Sequence, residues 1–181
     1  MLANRVMVFA IVTATCLALS ACVNSTAAIN SNKLATYRGD VRKLLVVADH
    51  GDIAKYMKGG DDLIKETMES TLNACGVITE YHSKNPIAVI NETAAWSATF
   101  RPEAILEIQW KSERTVGVVV AGGEYMVSLY DLQSKTTPWK ATMTFSTAGY
   151  AAQTFVGTLV GQMKADGVIN EKCVPPALTK R

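Results

Sequence analysis

Charge is scarce in this chain and nearly cancels: charged residues are 19% of 181, with 18 Lys and Arg against 16 Asp and Glu, a formal net of +2. Basic residues form no run beyond Arg42-Lys43 and Lys180-Arg181. The basic face or stripe of a nucleic-acid binder is therefore missing, and no nucleic-acid partner is expected. Long apolar runs are just as rare. The only long apolar run without charge stands at the very start, which excludes a multi-span membrane protein. Neither Gly59-Gly60 nor Gly122-Gly123 is followed by Lys-Ser/Thr or fits Gly-x-Gly-x-x-Gly, so both pairs read as turns rather than phosphate loops. There is no Gly-x-Ser-x-Gly elbow and no internal repeat. What is present is a hydrophobic content of 49%, enough to bury the core of one domain.

The amino terminus carries the most specific pattern. Residues 1–5 contain a single charge, Arg5, and residues 6–19 are rich in Val, Ala, Leu and Ile. Fourteen residues are too few for a spanning helix, which needs about 20, so the segment reads as a removable signal peptide. It ends in Leu19-Ser20-Ala21-Cys22: a large aliphatic residue, two small ones, then a thiol. Small side chains fit beside a scissile bond, and the thiol can take a diacylglycerol before the Ala21-Cys22 bond is cut. This lipobox resembles the signals of bacterial lipoproteins. The resemblance implies acylation of Cys22, with palmitate-type chains anchoring the mature protein without a transmembrane helix. Val23, where an Asp would favour inner-membrane retention, points by the same resemblance to the outer membrane. The alternative is an ordinary signal peptide in which Cys22 is incidental.

With Cys16 leaving in the signal and Cys22 acylated, Cys75 and Cys173 remain as a possible disulfide in a compartment that permits one. Two separate buried thiols are the alternative. Structural zinc needs four ligands at close spacing, so no metal is assigned to this pair.

The rest of the chain divides into a lipidated cysteine and flexible tether (22–40), a domain (41–173) and a short tail (174–181). The tether is small and polar, without periodicity. Lys43–Asp49 is a continuous aliphatic run, suited to a strand covered on both faces. Gly59-Gly60-Asp61-Asp62 opens a helix carrying Ile64, Met68, Thr71, Leu72 and Cys75 on one stripe and ending at Gly76. A strand begins at Val77. Asn85-Pro86 reads as the cap of a short helix running toward Trp96. Residues 104–110 alternate as a strand, 116–121 form a further run ending at Gly122-Gly123, and 125–132 pairs with 139–145 as a hairpin. Residues 149–166 place Ala152, Phe155, Val156, Leu159, Val160 and Met163 on one helical face, with Gly167 as the C′ residue. The expected fold is α+β, a mixed β-sheet with two main amphipathic helices packed on one face, in a single domain after the signal peptide.

Leu44-Leu45-Val46-Val47, Ala74-Cys75-Gly76-Val77, the segment from Arg101 to Ile108, the hairpin from Ser128 to Ala141 and the terminal stretch from Leu159 to Ile169 resemble the small periplasmic lipoproteins related to the TolB amino-terminal, CsgG and LpoB domains. The resemblance implies a non-enzymatic, periplasm-facing module that binds envelope proteins or assembles with copies of itself, and it transfers no catalytic residue.

Other chemistry is thinly supported. Asp49-His50-Gly51-Asp52 with His82 could offer ligands to a metal or small molecule, but the run reads more simply as a turn. A hydrolase drawing on Ser83, His82 or His50 and an Asp is a further alternative. Among the tryptophans, Trp110 and Trp139 sit on apolar strand faces and Trp96 is the candidate for an exposed partner surface. The expectation is an outer-membrane lipoprotein acting as a protein-binding or assembly module, not an enzyme, with no cofactor.

Overall fold

The computed structural model describes residues 27–51, 60–85, 87–117, 119–146, 152–170 and 173. The signal, with Leu19, Ser20, Ala21 and Cys22, and the tail 174–181 lie outside the described residues. Six strands and three helices follow in the order β1 (Ala27–Lys33), β2 (Lys43–Asp49), α1 (Gly60–Ala74), β3 (Ile78–Ser83), α2 (Glu92–Phe100), β4 (Ala104–Val116), β5 (Val119–Asp131), β6 (Thr136–Ser146) and α3 (Ala152–Ala165). The strands form one mixed sheet ordered β1-β6-β5-β4-β2-β3. β2 is parallel to both its neighbours, and the other pairings are antiparallel. This is the expected α+β fold.

β2 is buried along its length because layers cover both faces. Leu44, Val46 and Ala48 join the main core beneath α1 and α3, with Met68, Leu72, Phe155 and Leu159. Leu45 and Val47 turn to the opposite face, where Trp96 and Phe100 of α2 and Ile105 of β4 cover them. The two long helices therefore share one face, and the short one roofs part of the other.

Both long helices stop as their glycines predict. Gly76 and Gly167 take φ of +78° and +64°, where a side chain would be strained. In each, the following valine N–H reaches back five residues, Val77 to the Leu72 carbonyl and Val168 to that of Met163, closing a Schellman motif. All six expected core positions of α3 are buried.

Four expectations need correction. The 22–40 tether is too long, since Ala27–Lys33 pairs along its length with β6, from Ala27 opposite Phe145 to Lys33 opposite Trp139. Its polar sequence suits an edge strand. Ala27 and Ile29 pack on the core, and Ser31 Oγ donates to Asp166 Oδ2 at 2.6 Å. The short helix is capped by Asn91, whose side chain accepts from the Ala94 N–H, not by Asn85. Gly122-Gly123 is no turn but the interior of β5. A Cβ on Gly123 would fall 2.0 Å from the Trp110 ring, so glycine is what lets that indole lie across the strand. Finally, the separate run read at 116–121 is the far part of a β4–β5 hairpin that projects beyond Trp110, with Lys111 to Thr115 exposed.

Asp166 fastens α3 to β1 and β6. Its carboxylate accepts from Ser31, from Trp139 Nε1 at 2.7 Å and from Gln162 Nε2 at 3.0 Å. Partial burial opposes its ionisation, yet these bonds and nearby Lys33 hold its pKa below the usual carboxylate value. Because the Trp139 side chain is fully buried, Asp166→Ala leaves its indole N–H without this acceptor and is expected to cost about 1–3 kcal/mol. Asp166→Asn, which keeps an acceptor oxygen, should cost less. Urea unfolding of the two variants measures the order, and equal midpoints would contradict it.

Candidate functional site

Strand alternation decides where the two histidines go. On β3, Tyr81 points into the main core and His82 to the other face. His82 stacks on Trp96, ring centroids 4.3 Å apart and planes 7° from parallel, and its Nε2 lies 2.5 Å from Glu80 Oε1. Trp96 is thus half-buried, with one ring face covered, rather than a free hot spot. His50, just past β2, is buried on the Tyr81 side. The two imidazoles face opposite sides of the sheet and cannot hold one ion. Among the described residues no three His, Cys, Asp or Glu side chains gather as metal ligands.

Around His50 lies a cluster that sequence reasoning did not assemble. Its Nδ1 is 2.9 Å from the Tyr125 hydroxyl, and its Nε2 is 2.6 Å from that of Tyr81 and 3.2 Å from Asp61 Oδ1. Tyr81 donates to Asp61 at 2.7 Å. With its single proton so used, the Tyr81 oxygen accepts, which in the neutral ring places the proton on Nε2 and leaves Nδ1 to accept from Tyr125. Ser83 Oγ also donates to Asp61. A signal for this cluster did exist: tyrosines at inward-facing strand positions need partners for their hydroxyls, and His50 and Asp61 stand at the adjoining strand end and helix start.

Asp61 is the hub. Partial burial by itself raises its pKa, but the hydrogen bonds from His50, Ser83 and Tyr81 outweigh that and bring it from 3.8 to about 2. Burial, then the adjacent carboxylate, push the Tyr81 phenol far above its ordinary value. Ser83, His50 and Asp61 do meet, yet not as a triad. In a triad the hydroxyl bonds the imidazole, which in turn bonds the carboxylate. Here Ser83 bonds the carboxylate directly and His50 is walled in by tyrosines. The arrangement stitches the end of β2 to α1, β3 and β5. The Asp49-Gly51 turn is as expected, with Gly51 at φ +52° and its N–H on Asp49 Oδ1 at 3.0 Å.

Cys75, after α1, and Cys173 are joined in a disulfide, their Cα atoms 4.3 Å apart and 98 residues apart in sequence. Both are buried. Two open clefts lie on the surface of the described residues. One of about 430 Å³ lies among Ala28, Arg114, Glu124 and Thr144 at the start of β1. The other, of about 590 Å³, lies at the opposite end near Arg38 and Gln133. Neither adjoins the His50 cluster.

No protein-family model matches the chain, and no curated protein matches it. Among solved structures, the PelC dodecamer from Paraburkholderia phytofirmans is similar at a TM-score of 0.48 and 16% identity, over 80% of this chain and 99% of that one. A variant of that dodecamer gives 0.46, again at 16% identity and over 80% and 99%. Lipoprotein GNA1162 from Neisseria meningitidis gives 0.36 at 16% identity, over 68% and 96%.

Two predictions follow from this geometry. A carboxyl whose pKa is lower in the folded chain stabilises the fold above its unfolded value and loses that contribution as the pH falls. Asp61 should therefore contribute fully above about pH 4 and progressively less toward pH 2. Urea midpoints over that window should fall less steeply in Asp61→Asn than in the parent, and parallel curves would contradict the assignment. The disulfide closes a long loop, so replacing Cys75 and Cys173 together by serine should lower stability by up to about 4.7 kcal/mol. An unchanged unfolding midpoint would argue that the bond contributes nothing.

Proposed function

We propose that the chain is a lipoprotein of the bacterial cell envelope, acylated at Cys22, anchored in the outer membrane and facing the periplasm. Its α+β domain works by binding proteins of that layer or assembling with copies of itself, without catalysis. The observation that carries this reading is the lipobox Leu19-Ser20-Ala21-Cys22, placed only five positions before the first residue of the sheet, Ala27. Four intervening residues, fully extended, let the domain stand at most about 18 Å from the acylated residue. The lipid then does more than retain the protein. It confines the domain to a thin layer and raises its effective concentration for partners held there.

Two further features support the reading. The joined Cys75–Cys173 pair suits an exported protein. The titratable groups that could have suggested catalysis are engaged apart from one another, His50 with Asp61 and two tyrosines and His82 with Glu80 and Trp96.

The decisive variant is Cys22→Ser. It should abolish labelling by a palmitate analogue and release the protein from the membrane fraction. Unchanged labelling together with unchanged fractionation would overturn the proposal.

A further inference from the structure

Strand register shows what stands at the end of the sheet where the chain enters from Cys22. Ala27 pairs with Phe145, Phe145 with Gly123 and Gly123 with Glu113, so the start of β1 is level with the base of the projecting β4–β5 hairpin. β2 and β3 run parallel to β4 toward the same end, with Asp49 beside Gln109 and Ala48 beside Ser83. The loop that leaves β3 therefore emerges toward the end where β1 begins, at the far edge of the sheet and about five residues lower along the strands, Ser83 being level with Ile108 and Ala27 with Glu113. Five strand spacings separate the two edges, about 24 Å.

That loop is apolar and points outward. Five large hydrophobic side chains are strongly exposed among the described residues, and three belong to it: Ile87 at 84%, Val89 at 102% and Ile90 at 71%. The other two, Leu34 and Ile78, lie at the opposite end of the sheet. Residues 85–91 contain no charge. The backbone of the described residues here is held by polar bonds: Asn85 accepts from the N–H groups of Ile87 and Ala88, and Glu92 accepts from the Asn85 N–H while donating its own N–H to Ile90. A loop fixed in this way presents its apolar side chains instead of folding them under.

We propose that Ile87, Val89 and Ile90 form a second membrane contact, entering the boundary between headgroups and acyl chains while the lipid on Cys22 enters the same leaflet. This contact rests on the lipoprotein reading above. The bilayer is the occupant because the short link from Cys22 keeps this end of the sheet beside it, and an uncharged apolar loop gains by leaving water there. One acyl-bearing terminus would leave the domain free to swivel. Two contacts at opposite edges of the sheet restrict that swivel and direct the Arg38–Gln133 end away from the membrane.

Depth-dependent quenching tests this on the mature acylated protein in phosphatidylethanolamine–phosphatidylglycerol vesicles containing brominated acyl chains. An indole is introduced by Val89→Trp or, in the exposed turn at the other end, by Gln133→Trp, and emission is read as the difference from the parent. The indole at 89 should lose at least about half its emission and that at 133 almost none, as expected for a group seated at the acyl boundary. If the protein carries acyl chains and floats with the vesicles but the indole at 89 is unquenched, the loop contact falls and the lipoprotein reading stands. If both indoles are quenched, the proposed orientation is wrong. If the emission at 89 shifts with protein concentration in the absence of lipid, a second copy is the occupant and the proposal is overturned. If no acyl chain is present and the protein does not float, the lipoprotein reading falls and takes this contact with it.

Discussion

Burial of β2 on both faces organises the rest of the molecule. Leu44 through Ala48 are shut off from solvent, and a strand in that position needs a layer on either side and a neighbour on either edge. α1 and α3 supply one layer and α2 supplies part of the other. β3 and β4 supply the edges, both parallel to it. Parallel pairing requires crossovers, which is why α1 and α2 stand where they do in the chain. The antiparallel half extends the sheet through the β4–β5 and β5–β6 hairpins, and β1, first in the chain, closes its edge against β6.

Much of this was legible in the sequence because burial leaves a periodic trace. The unbroken aliphatic run of β2 announced two covered faces, and the i, i+3, i+4 stripe of α3 named its buried residues. Gly76 and Gly167 marked helix ends because only a left-handed residue closes a Schellman motif cheaply. The misses share a different origin. β1 owes its place to ladder bonds and to Ser31 meeting Asp166, with Ala27 and Ile29 alone of its apolar residues on the core side, too few to give a polar strand a legible hydrophobic period. Gly122-Gly123 resembles a turn signal, yet Gly123 admits the Trp110 ring and Gly122 the close approach of the Phe145 carbonyl. Asn85 and Asn91 are equally good caps locally, and the choice between them depends on where α2 must start to bring Trp96 and Phe100 over Leu45 and Val47.

For the candidate site the division is sharper. Cys75 and Cys173 could be suggested as a pair by counting, with two separate buried thiols as the alternative, and the fold joins them. The His50–Asp61–Tyr81–Tyr125 cluster could not, because its members come from four elements that meet only in the folded sheet. A pair of histidines near strand ends, His50 past β2 and His82 within β3, is divided by the simplest rule of β-structure: alternate residues face opposite ways.

These arrangements converge on one end of the molecule. The chain enters the sheet there, β2 and β3 end there, and the His50 cluster braces it from within while the Ile87–Ile90 loop stands outside. A short covalent leash to a lipid would turn that end toward the bilayer and leave the opposite end for partners. The account therefore depends on the chemical nature of the mature first residue. Intact-mass and amino-terminal peptide analysis of the protein extracted from membranes reads it directly. The account predicts a chain beginning at Cys22 and heavier than its polypeptide by a diacylglyceryl group and acyl chains. A mature chain that begins elsewhere, or begins at an unmodified Cys22, would contradict it.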